Sequence, residues 1–112
     1  MTNFNHQLTN YDGKPSIQKE KHTDDKKKIT FTEHPLTLRR CAYYALLDIA
    51  EFPDGFATKM TGEYHQKRYH LMQKIDADPE NVTITAEEKE ILSTLLPLRY
   101  DVVAVGQIMD LL

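Results

Sequence analysis

The sequence predicts a mainly α-helical protein, a compact bundle of three to four short helices with a small N-terminal β element. Three observations lead to this fold class. A chain of 112 residues has the length of a single domain. Helix-capping residues, each followed by apolar residues three or four positions apart, recur after residue 36. Segments that alternate apolar and β-favouring polar residues are few and short, so strands are expected to contribute little.

The first 28 residues are predicted to form a flexible polar segment with one candidate β-hairpin. Asp12 and Gly13 form a dipeptide that favours the turn of a two-residue hairpin. Residues 18–28 are too polar to bury much surface, so we expect them to be a mobile linker. On this division residues 29–112 form the helical domain, and deleting residues 1–28 should leave its helicity nearly intact.

One short strand and two capped helices are predicted next. Residues 29–32 alternate apolar and polar side chains of high β propensity, which is typical of a short strand. Thr37 is placed to cap a helix over residues 38–50, whose apolar positions lie on one face. Thr61 is placed to cap a second helix that extends to residue 75.

The last third of the chain carries the clearest local signal. Residues 82–84 form a second short strand candidate. Thr85 and Glu88 have the spacing of a capping box, in which each side chain accepts a hydrogen bond from the other residue's backbone N–H. Asp101 is placed to cap a final helix. Gly106 inside that helix costs about 1 kcal/mol relative to alanine, which indicates either close helix packing or simple tolerance.

Composition and motif content argue against several classes of function. No apolar run reaches the roughly 20 residues of a membrane-spanning helix. A single cysteine excludes an internal disulfide and a cysteine-based zinc site, and Cys41 lies in an apolar stripe where it acts as a small hydrophobic residue. His65 and His70, five positions apart, cannot bind one metal from the same helix face. We therefore expect no cofactor, no metal and no enzymatic activity.

The net charge of −3 is unevenly distributed along the chain. Residues 1–28 carry six lysines against four acidic residues, whereas residues 29–112 carry eight basic against thirteen acidic residues. An acidic body repels phosphate, so nucleic acid is not the expected partner. The small number of apolar side chains predicts a small hydrophobic core. A homodimer or a permanently bound protein partner would add to the stability of such a protein.

The tyrosines of the two middle helices are the candidate interaction residues. Tyrosine buries area while it keeps a polar group, and it is enriched at protein interfaces. A role at the edge of the core is the alternative for each of them. Arg68 is expected to lay its stem on apolar surface while its charge stays in water. The candidate partner-binding residues are Tyr43, Tyr44, Tyr64, Lys67, Arg68 and Tyr69.

Four blocks of the sequence, in this order, resemble small and mostly uncharacterised accessory proteins of tailed bacteriophages and prophages. The blocks are NYDGKP at 10–15, LTLRR at 36–40 leading into ALL at 45–47, YHLMQKI at 69–75, and ITAEEK at 84–89 leading into VVAVGQ at 102–107 and LL at 111–112. These motifs are structural, so the resemblance implies a source and no catalytic residue.

The resemblance and the absence of a catalytic motif together predict a phage-encoded, non-catalytic protein that binds a host protein in the host cytoplasm. Such a protein would inhibit a bacterial defence system or be sensed by one. Two alternatives stay open. The first is a structural or assembly protein of the virion that acts as a homo-oligomer, and the second is a nucleic-acid-binding accessory protein.

Overall fold

The computed structural model describes residues 1–47 and 61–112. Within these residues, four short helices accompany a two-stranded sheet, so the expected helices are confirmed but the fold is a mixture of helix and sheet. The predicted end of the first helix at residue 50 lies outside the described residues. The elements are β1 (Ile17–Thr23), β2 (Ile29–Pro35), α1 (Leu38–Leu47), α2 (Gly62–Ala77), α3 (Ala86–Leu95), a 3-10 turn (Leu96–Leu98) and α4 (Val102–Leu111).

The segment expected to be a mobile linker instead forms β1 and a tight turn. β1 pairs antiparallel with β2 from Ile17 opposite Pro35 to Thr23 opposite Ile29. In the turn, the Asp24 carboxylate accepts hydrogen bonds from the N–H groups of two following lysines, at 2.9 and 2.8 Å. The linker prediction failed because β1 is polar on both faces, so its sequence lacks the alternation that marks a strand.

The Asp12–Gly13 turn is present, but the chain segments on its two sides form only one β-bridge. Gly13 has a φ of 84°, a left-handed conformation that glycine adopts without strain. The N–H of Asn10 donates to the Lys14 carbonyl at 2.8 Å, and the flanking chain pairs in a single bridge at Pro15. A proline has no N–H to donate, which is consistent with a ladder this short.

The N-terminal residues are part of the core, so the expected boundary at residue 28 does not separate packed from unpacked chain. Phe4 is fully buried and Leu8 is 1% exposed. The Phe4 N–H donates to the Pro79 carbonyl at 2.7 Å. Thr2 and Val82 exchange two backbone hydrogen bonds at 2.8 and 3.0 Å, so the strand expected at 82–84 is reduced to one bridge.

Each predicted helix cap is confirmed. The N–H of Tyr64 donates to the Thr61 hydroxyl at 3.1 Å, and Asp101 caps α4 in the same manner at 2.9 Å. The reciprocal bonds of the capping box measure 3.0 and 3.2 Å between Thr85 and Glu88. These caps fix where the helices begin, and the helices then bury their apolar faces against each other and against the N-terminal segment.

One cluster of buried residues forms the core among the described parts of the chain. It joins residues of the N-terminal segment to residues of all four helices. Its members are Phe4, Leu8, Leu38, Cys41, Ala42, Ala45, Leu46, Leu71, Met72, Ile75, Val82, Ile91, Leu92, Leu95, Leu96, Ala104 and Ile108.

Candidate protein-binding groove

A groove of about 470 Å³ lies where the end of β2 meets α1 and α2. Its lining combines aromatic, cationic and apolar side chains, and we call it the tyrosine–arginine groove. The lining residues are His34, Pro35, Thr37, Arg39, Arg40, Tyr43, Tyr44, Met72 and Asp76.

The spacing of α1 builds one wall of this groove. Arg39 and Tyr43 are four residues apart, as are Arg40 and Tyr44, so each pair occupies one ridge of the helix. The Thr37 hydroxyl accepts a hydrogen bond from the Arg40 N–H at 3.1 Å and fixes the start of α1. One wall of the groove is therefore formed by a helix whose other face is buried in the core.

Arg40 is held by contacts on several sides. Its Nε donates to Gln18 Oε1 at 2.8 Å, and Nη2 donates to the Tyr44 hydroxyl at 3.3 Å. The guanidinium lies 5.4 Å from the centre of the Tyr44 ring, within the range of a cation–π contact. Glu20 Oε2 lies 3.9 Å from Nη2. These contacts join β1 to α1 and orient the arginine before any partner is bound.

Arg39 is fixed by the opposite wall of the groove. Its Nε and Nη2 donate to one carboxylate oxygen of Asp76, at 3.0 and 2.8 Å. Both side chains are roughly half exposed, so this ion pair contributes little to stability. The ion pair instead fixes the position of the Arg39 guanidinium at the rim of the groove, with Nε and Nη2 directed towards Asp76 on the opposite wall.

Tyr43 and Tyr44 supply the aromatic surface. Their rings are 5.3 Å apart and nearly perpendicular, in an edge-to-face arrangement. Tyr43 is 49% exposed, whereas Tyr44 is half-buried. The guanidinium carbon of Arg99 lies 5.9 Å from the centre of the Tyr44 ring, in addition to the contact with Arg40. A fixed inner ring thus supports an outer ring that a partner can reach.

Tyr69 lies on the same side of α2 as two groove residues. It precedes Met72 by three positions and Asp76 by seven, a spacing that keeps all three along one side of a helix. The Tyr69 hydroxyl accepts a hydrogen bond from Gln73 Nε2 at 3.0 Å, and the side chain is 54% exposed. Tyr69 therefore extends the exposed aromatic surface along α2.

Tyr64 and Lys67 face α3 and do not line the groove. Lys67 Nζ lies 2.6 Å from Glu87 and 3.6 Å from Glu63, and the hydrogen bond to Glu87 is the main cause of its raised pKa. Tyr64 is half-buried against the core, and this burial raises its pKa. These two residues form part of a small separate cleft with α3.

Arg68 is buried, contrary to the expectation that its charge stays in water. Its side chain packs between α1 and α2, and Nη2 donates to the Ala45 carbonyl of α1 at 3.4 Å. Nη1 lies 3.2 Å from His65 Nδ1. Burial lowers the pKa of Arg68. The contact with the Ala45 carbonyl means that this arginine joins α2 to α1.

Cys41 lies in the core, as its apolar stripe predicted. Burial raises the pKa of its thiol to about 11, and the hydrogen bond with Tyr100 only partly opposes this effect. Burial also raises the pKa of Tyr100. Among residues 1–47 and 61–112, no group of three or more histidine, cysteine or acidic side chains is arranged to hold a metal ion.

Sequence reasoning missed the arginines and singled out only the tyrosines of this groove. Arg39 and Arg40 stand four positions before Tyr43 and Tyr44, and this doubled spacing is a signal that was present in the sequence. His34 and Asp76 carried no such signal, because only the fold brings β2 and the end of α2 next to α1.

Comparison of the chain with protein-family models, with curated proteins and with solved structures found no match. In the described parts of the chain, no helix is both long and apolar enough to cross a membrane.

Proposed function

We propose that this protein is a non-catalytic accessory protein that binds another protein through the tyrosine–arginine groove. The observation that carries the proposal is the pairing of an exposed tyrosine with oriented arginines on one rigid helix. Tyrosine and arginine are two of the residue types that most often dominate the binding energy of protein interfaces. Side chains that are already fixed lose less freedom on binding, which favours affinity.

The charges around the groove indicate the chemistry of the segment it would accept. Each groove arginine already has an acidic neighbour, Asp76 for Arg39 and Glu20 for Arg40. A purely electrostatic capture of an acidic chain is therefore less favoured than contact with an apolar or aromatic side chain. Such a side chain would pack against the exposed ring of Tyr43, while a carbonyl or carboxylate oxygen accepts from the rim guanidinium of Arg39.

The resemblance to phage and prophage accessory proteins leads us to propose a host protein as the partner, met in the host cytoplasm. Inhibition of a defence component, or recognition by one, is the proposed consequence of binding. Tyr69 lies beyond the groove, so we propose that it contributes at the periphery of the same interface.

The test is affinity purification of the tagged protein from host cells, with two matched tyrosine variants. Tyr43→Ala removes the exposed ring of the groove, and we expect at least a tenfold loss of the captured partner, the scale of a hot-spot residue. Tyr11→Ala is the control, because Tyr11 is 94% exposed and lies outside the groove. Equal recovery of the partner with both variants would contradict the proposal.

A further inference from the structure

The hairpin formed by β1 and β2 projects two open strand edges from the protein. Nearly every residue of both strands is exposed, and the sheet has no third strand among the described residues. Open edges present unpaired backbone N–H and C=O groups to any chain that can pair with them. The two edges differ in sequence, and this difference decides what they can bind.

Two backbone hydrogen bonds at the ends of the hairpin fix which groups point outward. The Leu36 N–H donates to the Ser16 carbonyl at 3.0 Å, and the Asp24 N–H donates to the Lys28 carbonyl at 3.1 Å. Bonded and non-bonded residue pairs alternate along an antiparallel ladder. When this alternation is continued between the two ends, the backbone groups of residues 30, 32 and 34 bond to β1. The backbone groups of residues 29, 31 and 33 then point away from β1.

β1 is protected against pairing with a copy of itself. Its outward positions include Lys19 and Lys21. A two-fold pairing of β1 with β1 that is centred on any of residues 18–22 brings these lysines opposite or diagonal to those of the second copy. Like charges in such positions are destabilising, and lysines on an edge strand are a common protection against association.

β2 lacks this protection. Its outward positions are Ile29, Phe31 and Glu33, and Glu33 is the single charged residue of the strand apart from a histidine. Ile29 is 50% exposed and Phe31 is 63% exposed, on the face of the hairpin opposite Gln18 and its contact with Arg40. The strand combines high β propensity, exposed apolar side chains and free backbone groups along one edge.

We propose that β2 is a self-association edge, through which two copies of this chain pair antiparallel about a two-fold axis at Phe31. Phe31 then lies opposite Phe31 of the second copy, and each Ile29 lies opposite Glu33. No like charges face each other in this register. A shift that centres the axis on residue 32 would place Pro35 opposite Ile29 in a bonded pair, where it has no N–H to donate. The opposite shift, centred on residue 30, would leave only residues 29–31 of the two strands paired. The product is a four-stranded sheet with an aromatic pair at its centre.

The dimer is expected to be weak. Stable interfaces bury about 800 Å² on each partner, and the edge of one seven-residue strand is smaller than that. We therefore expect association to be reversible and to develop between about 10 μM and 1 mM, a range that corresponds to a modest binding free energy.

Sedimentation equilibrium of the full chain, with proline variants on the two edges, tests the proposal. Phe31→Pro removes an outward N–H of β2 without removing a bond to β1, and we expect the dimer Kd to rise at least about tenfold. Lys19→Pro makes the same change on the outward edge of β1 and should leave the Kd within about twofold. Phe31→Thr keeps the N–H and should have an intermediate effect. Amide exchange at residues 29, 31 and 33 should slow as protein concentration rises.

Several outcomes would overturn the proposal. They are a monomer at every concentration, equal effects of both proline variants, or growth beyond a dimer, which would indicate head-to-tail pairing of β1 with β2. The Tyr43→Ala variant separates this inference from the proposed function, because it alters the groove and should leave the dimer Kd unchanged.

Discussion

Phe4 provides the most direct test of the finding that the N-terminal segment belongs to the core. Its side chain is fully buried, and its backbone bridges two distant parts of the chain. The Phe4 N–H donates to Pro79, and its carbonyl accepts from the N–H of Arg39 in the first turn of α1 at 2.6 Å. Truncation to alanine leaves these backbone bonds possible and removes the ring, so the measured effect reports side-chain packing.

The size of the effect follows from burial. Replacing a fully buried phenylalanine by alanine costs about 3–5 kcal/mol, the sum of lost transfer free energy and the cavity that remains. The free energy of unfolding of a domain this size is about 5–15 kcal/mol, so this single change removes a large share of it. Phe31→Ala is the matched control, because the same atoms are removed from a side chain that is 63% exposed. Its cost should stay within about 0.5 kcal/mol.

Urea unfolding followed by circular dichroism at low protein concentration measures both variants. With a slope of about 1–3 kcal/mol per molar urea, Phe4→Ala should lower the midpoint by more than 1 M. Deletion of residues 1–16 should remove cooperative unfolding altogether, because it removes both Phe4 and Leu8 from the core. Equal midpoints for the two alanine variants, or a deletion that keeps native helicity and a sharp transition, would refute the assignment of this segment to the core.

Three further predictions concern the helical body. Burial raises the pKa of Glu88, but bonds from Lys74 and Thr85 outweigh it and lower the pKa overall. Glu88→Gln should therefore cost about 1 kcal/mol at pH 7, and the difference should shrink as the pH falls through the lowered pKa and Glu88 becomes protonated in the folded protein. A cost that does not change with pH in urea titrations would contradict this. Gly106→Ala should raise the free energy of unfolding by about 1 kcal/mol, since nothing lies within 4 Å of the added Cβ; destabilisation would show that the bare backbone is needed. Cys41 should react with a thiol reagent far more slowly in the native protein than in urea at pH 8, and equal rates would show that the thiol is accessible.

The local signals of the sequence predicted the helices well. Thr61, Thr85 and Asp101 cap the helices that their positions indicated, because a cap depends on residues within one turn of each other. Gly106 was left with two explanations, close packing or tolerance. Among residues 1–47 and 61–112, nothing lies within 4 Å of a Cβ built at Gly106, which argues against close packing between the described helices as its cause.

The N-terminal segment and the hairpin could not be predicted in the same manner. Phe4 and Leu8 are two apolar residues in a polar segment, and backbone hydrogen bonds to Pro79 and Leu36, which are distant in sequence, hold them in place. β1 depends on pairing with β2 for its structure, and its polar sequence shows no alternation. Periodicity within a segment carries no information about partners supplied by another segment.

The candidate site shows the same division between local and long-range information. Tyr43 and Tyr44 were predicted as interaction residues and line the groove, but Tyr64 and Arg68 lie at packed surfaces of the body. Residue type alone does not separate these two environments. The spacing of Arg39 and Arg40 before the two tyrosines is visible in the sequence, but the contacts that orient these arginines across α2 and β1 are known only from the fold.

The hairpin and the helical body are held by different kinds of interaction, and this difference bears on both proposals. Neither strand of the hairpin contains a buried residue. Its side-chain contacts with α1 run through Arg40, which bonds Gln18 and approaches Glu20, and such polar contacts contribute about 1 kcal/mol or less each. We therefore expect the hairpin to tilt relative to α1 at a free energy well below that of global unfolding. Tyr43, by contrast, stands on a helix whose other face is in the core, so the wall of the groove stays fixed while the β2 edge adjusts to a second copy.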